Sequence, residues 1–466
     1  METRIEHDSL GDLEVPVNSY YGVQTQRAVV NFPISGLRPL PAFIDATVHV
    51  KRAAAIVNAR LGQLKQEVAD MIVTAADEVL GGNLRDQFVV DVFQAGAGTS
   101  HNMNTNEVLA NRAIEMHGGK RGDYKMVHPN DDVNKAQSTN DVIPTAIRLA
   151  ALMLCQDLFK SLAILQEELA KKGKEFEPVI KSGRTHLQDA VPVRLGQEFG
   201  AYAEIVRQHR DRIKFAADDL GHLGIGGSAA GTGLNTHPKY SAEMAKELSK
   251  ALGLDLKPAR NLMAAMQSMA PFANLSGALR NLALDLIKLA NDFRLMESGP
   301  KTGLGEIHLP AMQPGSSIMP GKVNPVMAEM LNMVCFHVCG NDATVAMAAQ
   351  AGQLELNVMM PVIAYNLLQA IEVMSNATRV FATKCVAGIT ANVDRCRFYA
   401  ENSITNVTVL NPLIGYEKAA AVAKESLKTG KSIREVVLEQ NLLTSEQLDK
   451  ALNLEAMTGS TERSAD

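Results

Sequence analysis

Gly315-Ser316-Ser317-Ile318-Met319-Pro320-Gly321-Lys322-Val323-Asn324-Pro325 lies between long apolar segments and decides how the rest of the chain is read. It combines neighbouring serines with a lysine, an asparagine, paired prolines and paired glycines. The prolines bar a continuous helix and remove backbone donors. The glycines admit positive φ and let another group approach the backbone closely. The stretch reads as an interhelix loop. Its plain reading is a polar connection, and its functional reading is a loop that sets a serine and a lysine beside a small anion.

Outward from the loop the sequence is helical. Apolar periodicity predicts long helices over 325–350 and 353–384 on one side and 143–171, 195–220 and 271–297 on the other. Over 271–297, Leu275, Leu279, Leu282, Leu286, Leu289, Phe293 and Met296 recur at alternating spacings of 4 and 3, a heptad seam. Five such helices imply a bundle. Their breadth of apolar surface implies that part of it faces another subunit. Earlier in the chain, helices are predicted over 43–64 and 66–81, and a short ordered element over 17–30. A polar Gly- and Asn-rich stretch runs from 94 to 106, and 128–140 reads as a loop leading into a helix. After about 392 the segments shorten, Thr444-Ser445-Glu446-Gln447 fits a capping box, and the tail 459–466 is expected to fray. The expected division is 1–140, mixed and mostly helical; 141–392, a long-helix bundle; and 393–466, small and helical. No repeat or low-complexity tract is evident.

With 466 residues, 46% hydrophobic and 21% charged, the chain can bury a large core. Aromatics are only 5%, without Trp, which favours close helix packing over a β-sandwich. A net charge of −5 argues against a nucleic-acid surface. The amino terminus lacks a signal pattern, and no uninterrupted apolar run of about 18 residues predicts a membrane span. Cysteines 155, 335, 339, 385 and 396 lack metal-ligand spacing, and free buried thiols in a reducing, cytoplasmic setting are expected.

Two nucleotide-binding lookalikes fail on context. Gly224-Ile225-Gly226-Gly227-Ser228-Ala229 does not follow a Val- and Ile-rich strand, and the glycine required ahead of Gly430-Lys431-Ser432 is Glu425. The stretch 224–236 reads either as a helix-breaking loop or as a lid facing a substrate. Four polar clusters remain: Gly96-Ala97-Gly98-Thr99-Ser100-His101-Asn102, Gln137-Ser138-Thr139-Asn140-Asp141, Gly183-Arg184-Thr185-His186-Leu187-Gln188-Asp189, and the central loop. Ser-Thr-Asn before a helix is most simply an N-cap. A helix amino terminus also offers free N–H groups and a positive dipole end to a carboxylate. With neutral donors and Lys322, such a set would grip a small dicarboxylate without a metal, and no metal-ligand motif is present. Ser316 is the candidate base, provided backbone N–H groups and a lysine stabilise its alkoxide. A hydrolytic triad is the rival use, but no Gly-x-Ser-x-Gly elbow occurs.

These residues resemble the aspartase/fumarase superfamily over essentially the whole chain. The resemblance implies a mainly α, three-domain subunit whose central long helices build a multi-helix core in a homotetramer, with each active site drawn from three subunits. It implies reversible elimination across a Cα–Cβ bond to give fumarate, through an aci-carboxylate intermediate whose stabilisation dominates catalysis. It makes Ser316 the base and gives Thr99, Ser138, Thr139, Thr185, Ser317, Lys322 and Asn324 the two carboxylates. Asn140 and His186 fall at the leaving-group side, with Glu329 behind His186. His128-Pro129-Asn130-Asp131 matches a second carboxylate site of fumarases, or caps the next helix. No cofactor is required, and Mg2+ activation is open.

Ser138-Thr139-Asn140, Val326-Met327-Ala328-Glu329 and Gly352-Gln353-Leu354-Glu355-Leu356-Asn357 each depart from the pattern usual in fumarases. They point to the branch that deaminates L-aspartate, with the fumarate-hydrating branch as the alternative. Thr185-His186 occurs in both. A non-catalytic helical scaffold is the remaining reading, and the intact Ser316, Lys322, Asn324 and Thr185 argue against it.

Overall fold

In a computed structural model, residues 2–459 are described; the expected frayed tail beyond Gly459 lies outside them. The chain opens with an antiparallel hairpin, β1 (Thr3–Asp8) and β2 (Gly11–Pro16), in register from Thr3 opposite Pro16 to Asp8 opposite Gly11. Then come α1 (Val23–Asn31), α2 (Pro41–Arg60), α3 (Gln66–Leu80) and α4 (Thr99–Met116). Helix α5 (Thr139–Glu175) leads into a second hairpin, β3 (Ile180–Thr185) and β4 (Gln188–Arg194), and α6 (Leu195–Asp218) follows. The two-residue strand β5 (His222–Leu223), α7 (Tyr240–Leu252), β6 (Lys257–Pro258), α8 (Leu262–Gln267), α9 (Ala270–Glu297) and β7 (Ile307–His308) precede the central loop. Beyond it are α10 (Val326–Gln350), α11 (Met360–Lys384), β8 (Thr390–Ala391), α12 (Val393–Asn402) and five short helices, α13 (Asn411–Ile414), α14 (Tyr416–Thr429), α15 (Ile433–Glu439), α16 (Ser445–Ala451) and α17 (Leu454–Met457).

The mainly helical class is as the sequence predicts, and the long helices start and end close to their predicted bounds, except at the start of α11. The seam residues Leu275, Leu279, Leu282, Leu286, Leu289, Phe293 and Met296 are all buried. Helix α5 is apolar and long enough by composition to cross a membrane, yet 67% of its most apolar window is buried inside the protein, as a core helix is. Thr444 and Gln447 form the expected capping box, and Ser432 with Glu435 forms another.

Three local features differ from the sequence reading. The polar stretch from 99 to 106, to which apolar periodicity assigned no helix, is the first half of α4, with His101, Asn102, Asn104, Thr105 and Asn106 all buried. Asn104 accepts from the Val89 N–H and donates to the Gln87 carbonyl, and the Thr105 hydroxyl donates to the His101 carbonyl, pairings that hydrophobic periodicity cannot register. Helix α11 begins at Met360 rather than near 353. The buried Asn357 amide donates to the carbonyls of Ala348 and Ala349 at 3.0 Å and its oxygen accepts from the Met359 N–H at 2.8 Å, so it ends one helix and starts the next. The first residues form a hairpin, because Gly11 takes φ +108 at the turn after Asp8.

Backbone contacts divide the chain into two compact units. One comprises residues 1–160, 209–283 and 334–376, the other 161–208, 284–333 and 377–466, so the division falls within α5, α6, α9, α10 and α11. The first unit holds a core of Ile44, Val48, Ile72, Val79, Leu109 and Ile114 from α2, α3 and α4. In the second, Phe293 stacks on Phe199 at 5.2 Å and on Phe381 at 5.9 Å, tying α6, α9 and α11 together.

Candidate active-site clusters

The first unit brings the first two polar clusters together. Gly98, at φ +88, turns the chain into α4; a Cβ there would meet Ile143 of α5 at 3.0 Å. Thr99 is thereby exposed at the first turn of α4. One turn along, the buried Asn102 amide donates at 3.3 Å both to Asn134 Oδ1 and to Thr139 Oγ1, at the amino terminus of α5. Ser138 caps that helix: its Oγ accepts from the Asn140 N–H at 3.2 Å. Asp141 returns the favour by accepting from the Ser138 N–H at 2.9 Å.

The other oxygen of Asp141 accepts from the N–H groups of Gly226 and Ser228, at 3.0 and 2.9 Å. Asn140 Nδ2 donates to the Ala229 carbonyl at 2.8 Å. The loop 224–236 is therefore clamped onto the second cluster. It has no dinucleotide-binding context, since the strand before it is two residues long and the next helix begins only at Tyr240. Asp141 is buried, and burial pushes its carboxyl up to about 6 against the pull of three N–H groups and Lys51. Lys51 of α2 is fully buried, and burial lowers its ammonium to about 7. It donates to Asn134 Oδ1 at 2.8 Å and to Gln137 Oε1 at 3.0 Å.

The second unit holds the other two clusters. Thr185 ends β3, and His186 and Leu187, with φ of 56 and 59, make the tight turn to β4. Both Thr185 and His186 are exposed. The hairpin is anchored one residue back. Arg184 Nη1 donates to Glu306 Oε1 at 2.7 Å and stacks over Tyr399. Lys181 Nζ stands 3.0 Å from Glu306 Oε2 as an ion pair without hydrogen-bonding alignment, and bonds Glu198. Burial alone would lower the Lys181 ammonium, but Glu198 and Glu306 hold it above its ordinary value.

In the central loop, Ser316 Oγ accepts from the N–H groups of Ile318 and Met319, at 3.2 and 3.0 Å. Gly315 N–H donates to the Lys322 carbonyl at 2.8 Å, and Asn324 Nδ2 donates to the Gly315 carbonyl at 2.7 Å. These bonds close the loop on itself, and a Cβ on Gly315 would lie 2.4 Å from the Lys322 carbonyl oxygen. Ser317 and Lys322 are exposed. Among the described residues, no hydrogen bond or ion pair joins the central loop to Thr185 or His186, nor Glu329 to His186. His128 Nδ1 accepts from the N–H groups of Asn130 and Asp131, so its side chain serves as a helix cap here. Among the described residues no group of His, Cys, Asp and Glu is placed to hold a metal ion.

Sequence reasoning passed over Lys51, Lys181 and Glu306. Lys51 left a signal: it falls on the apolar face of α2 between Val48 and Ala55, where a solvated lysine has no place. Lys181 and Glu306 sit far apart in sequence, and only folding pairs them.

Residues 11–340 match a family model described as lyase, and residues 407–459 one described as fumarase C C-terminus. Aspartate ammonia-lyases from Bacillus sp and from Escherichia coli (strain K12) are 50% and 48% identical to this chain. The first alignment covers 98% of both proteins; the second covers 97% of this chain and 95% of its relative. Among solved structures, a fumarate lyase:delta crystallin from Brucella melitensis aligns with a TM-score of 0.94 at 48% identity, over 98% of this chain and 100% of that one. A class II fumarase from Schistosoma mansoni aligns with a TM-score of 0.96 at 40% identity, over 98% and 99%. From the long-helix architecture, the four polar clusters and these likenesses together, the chain belongs to the aspartase/fumarase superfamily of lyases.

Proposed function

We propose that this protein is an aspartate ammonia-lyase, converting L-aspartate reversibly to fumarate and ammonia. The observation that carries the reading is the environment of Ser316. A serine hydroxyl is a poor base, and two backbone N–H groups already aimed at its oxygen are what an alkoxide needs. In the proposed step the Ser316 alkoxide takes a proton from Cβ of aspartate. The electron pair moves into the adjacent carboxylate, giving an aci-carboxylate dianion that Lys322 and neutral donors stabilise. Collapse of that dianion expels the amine with the Cα–N electron pair. Thr99, Ser138, Thr139, Thr185, Ser317, Lys322 and Asn324 hold the two carboxylates, and Asn140 and His186 lie at the amine. The chemistry needs no cofactor.

A homotetramer with sites shared among three subunits is part of the proposal, as is the division at about 140 and 392. Exposed apolar side chains on the long helices support the assembly: Phe215 on α6, Leu284 and Leu295 on α9, and Met333, Phe336 and Met347 on α10. Such a surface is costly to leave in water. A cytoplasmic setting is supported by free cysteines, of which Cys155, Cys335, Cys385 and Cys396 are buried. The second reading, fumarate hydratase, is favoured by the likeness to the Schistosoma mansoni fumarase. The two are separated by following fumarate absorbance with L-aspartate and with L-malate, each with and without Mg2+. Turnover of aspartate with little from malate is expected; the reverse establishes the hydratase.

A further inference from the structure

We propose that Lys51 is a positioning residue for the anion-binding face made by Ser138, Thr139 and Asn140: its buried ammonium, held against that face by Asn134 and Gln137, supplies the positive potential that receives one substrate carboxylate. This rests on the dicarboxylate reading above and gives one carboxylate a cation besides Lys322.

The argument begins with what Lys51 lacks. Its side chain is fully buried on α2, and among the described residues no ion pair is formed to it by any carboxylate. Burying an ammonium without a partner is expensive, and a chain that tolerates it gains something in return. The partners it does have are amide oxygens, Asn134 Oδ1 and Gln137 Oε1, which orient the ammonium without cancelling its charge. Both are also joined to the site. Gln137 immediately precedes Ser138, and Asn134 Oδ1 is shared with Asn102 Nδ2, which reaches Thr139 Oγ1. The amino terminus of α5 adds its dipole at the same place.

The titratable groups around Lys51 and Asp141 offset this potential only in part, and none of them pairs with the ammonium. Asp141, on α5, is the one carboxylate whose charge it feels, and both oxygens of Asp141 are occupied by the N–H groups of Ser138, Gly226 and Ser228. His101, on α4, is kept neutral by burial and by Lys51 itself, its pKa falling to about 3. Tyr240, on α7, stays protonated because it is buried. Burial draws the Lys51 ammonium down toward neutrality. A dianion arriving at Ser138 and Thr139 would hold it protonated, so binding should draw a proton from solution near pH 7.5.

The test uses the full chain in its native assembly, L-aspartate as substrate and succinate as an unreactive dicarboxylate probe. Lys51→Gln removes the charge while keeping N–H donors for Asn134 and Gln137 on a slightly shorter side chain. The expected result is an intact oligomer with unchanged circular dichroism. The KM for aspartate and the inhibition constant of succinate should rise on the order of 10- to 100-fold, with a smaller fall in kcat. Titration calorimetry of succinate in phosphate and in Tris should show proton uptake by the unaltered protein and by His186→Gln, lost in Lys51→Gln. A folded Lys51→Gln with unchanged KM and inhibition constant overturns the proposal. If that variant does not assemble, the calorimetry decides: uptake that persists in His186→Gln supports Lys51, and no uptake, or uptake lost in His186→Gln, refutes it. Absence of both aspartate turnover and succinate binding in the unaltered protein refutes instead the dicarboxylate reading on which Lys51 depends.

Discussion

Glu306→Gln should destabilise the protein by about 3 kcal/mol, because it removes one charge from a buried cluster and leaves the rest in place. Glu306 is fully buried and sits between Lys181, whose side chain is 3% exposed, and Arg184, at 17%. With Glu198 as the second carboxylate, the cluster carries balanced charge. The substitution leaves two cations against Glu198 alone. Removing one partner of a buried pair costs roughly 3–5 kcal/mol. The lower end applies because Lys181 retains Glu198 and Arg184 can turn partly to solvent. For a chain of 466 residues that unfolds as one, the unfolding entropy is about 1 kcal/mol/K, so Tm should fall by roughly 3 °C. The fall would be larger if the unit holding the cluster melts alone. Denaturant unfolding at pH 7 with matched m-values is the assay. Adding Lys181→Gln restores the balance of charge and should recover about half of the loss in a double-mutant cycle. A single Glu306→Gln variant within about 0.5 kcal/mol of the unaltered protein would show that the cluster is not a coupled buried network, and the reasoning would fail.

Ser316→Ala should lower kcat for aspartate by about a thousandfold or more while the oligomer survives, and near-normal turnover would remove serine from the base role. Lys322→Met should raise KM and lower kcat together, with kcat/KM down by roughly 100-fold or more, because the charge it faces grows in the transition state; a pure KM effect would place it in ground-state binding only. Glu107, buried in the first unit, accepts from the N–H groups of Gly22, Gln24 and Thr25 and from the Thr25 hydroxyl. Burial still raises its carboxyl to about 7. The folded state then binds more protons than the unfolded state between about pH 4.5 and 7, so this group's contribution to stability falls as pH rises through that window. Glu107→Gln should flatten the slope in denaturant titrations from pH 5 to 8, and an unchanged slope would show that Glu107 titrates at its ordinary value.

The helical class was legible because apolar spacing is a local signal. The seam from Leu275 to Met296 states in its own periodicity which face of α9 is buried. The central loop was legible because proline and glycine punctuate a helix whatever surrounds them, and its serine, lysine and asparagine stand together in sequence. Capping at Thr444 and Ser138 could be read for the same reason. What tertiary structure alone decided is which polar groups meet. Asn102 reaches Thr139 across 37 residues, Asp141 reaches Gly226 across 85, and Arg184 reaches Glu306 across 122. A polar side chain buried inside a helix, as in α4, looks in sequence like one left in solvent. Its partner is supplied by a distant segment, and the cost of leaving it unpaired is paid only once the chain has folded.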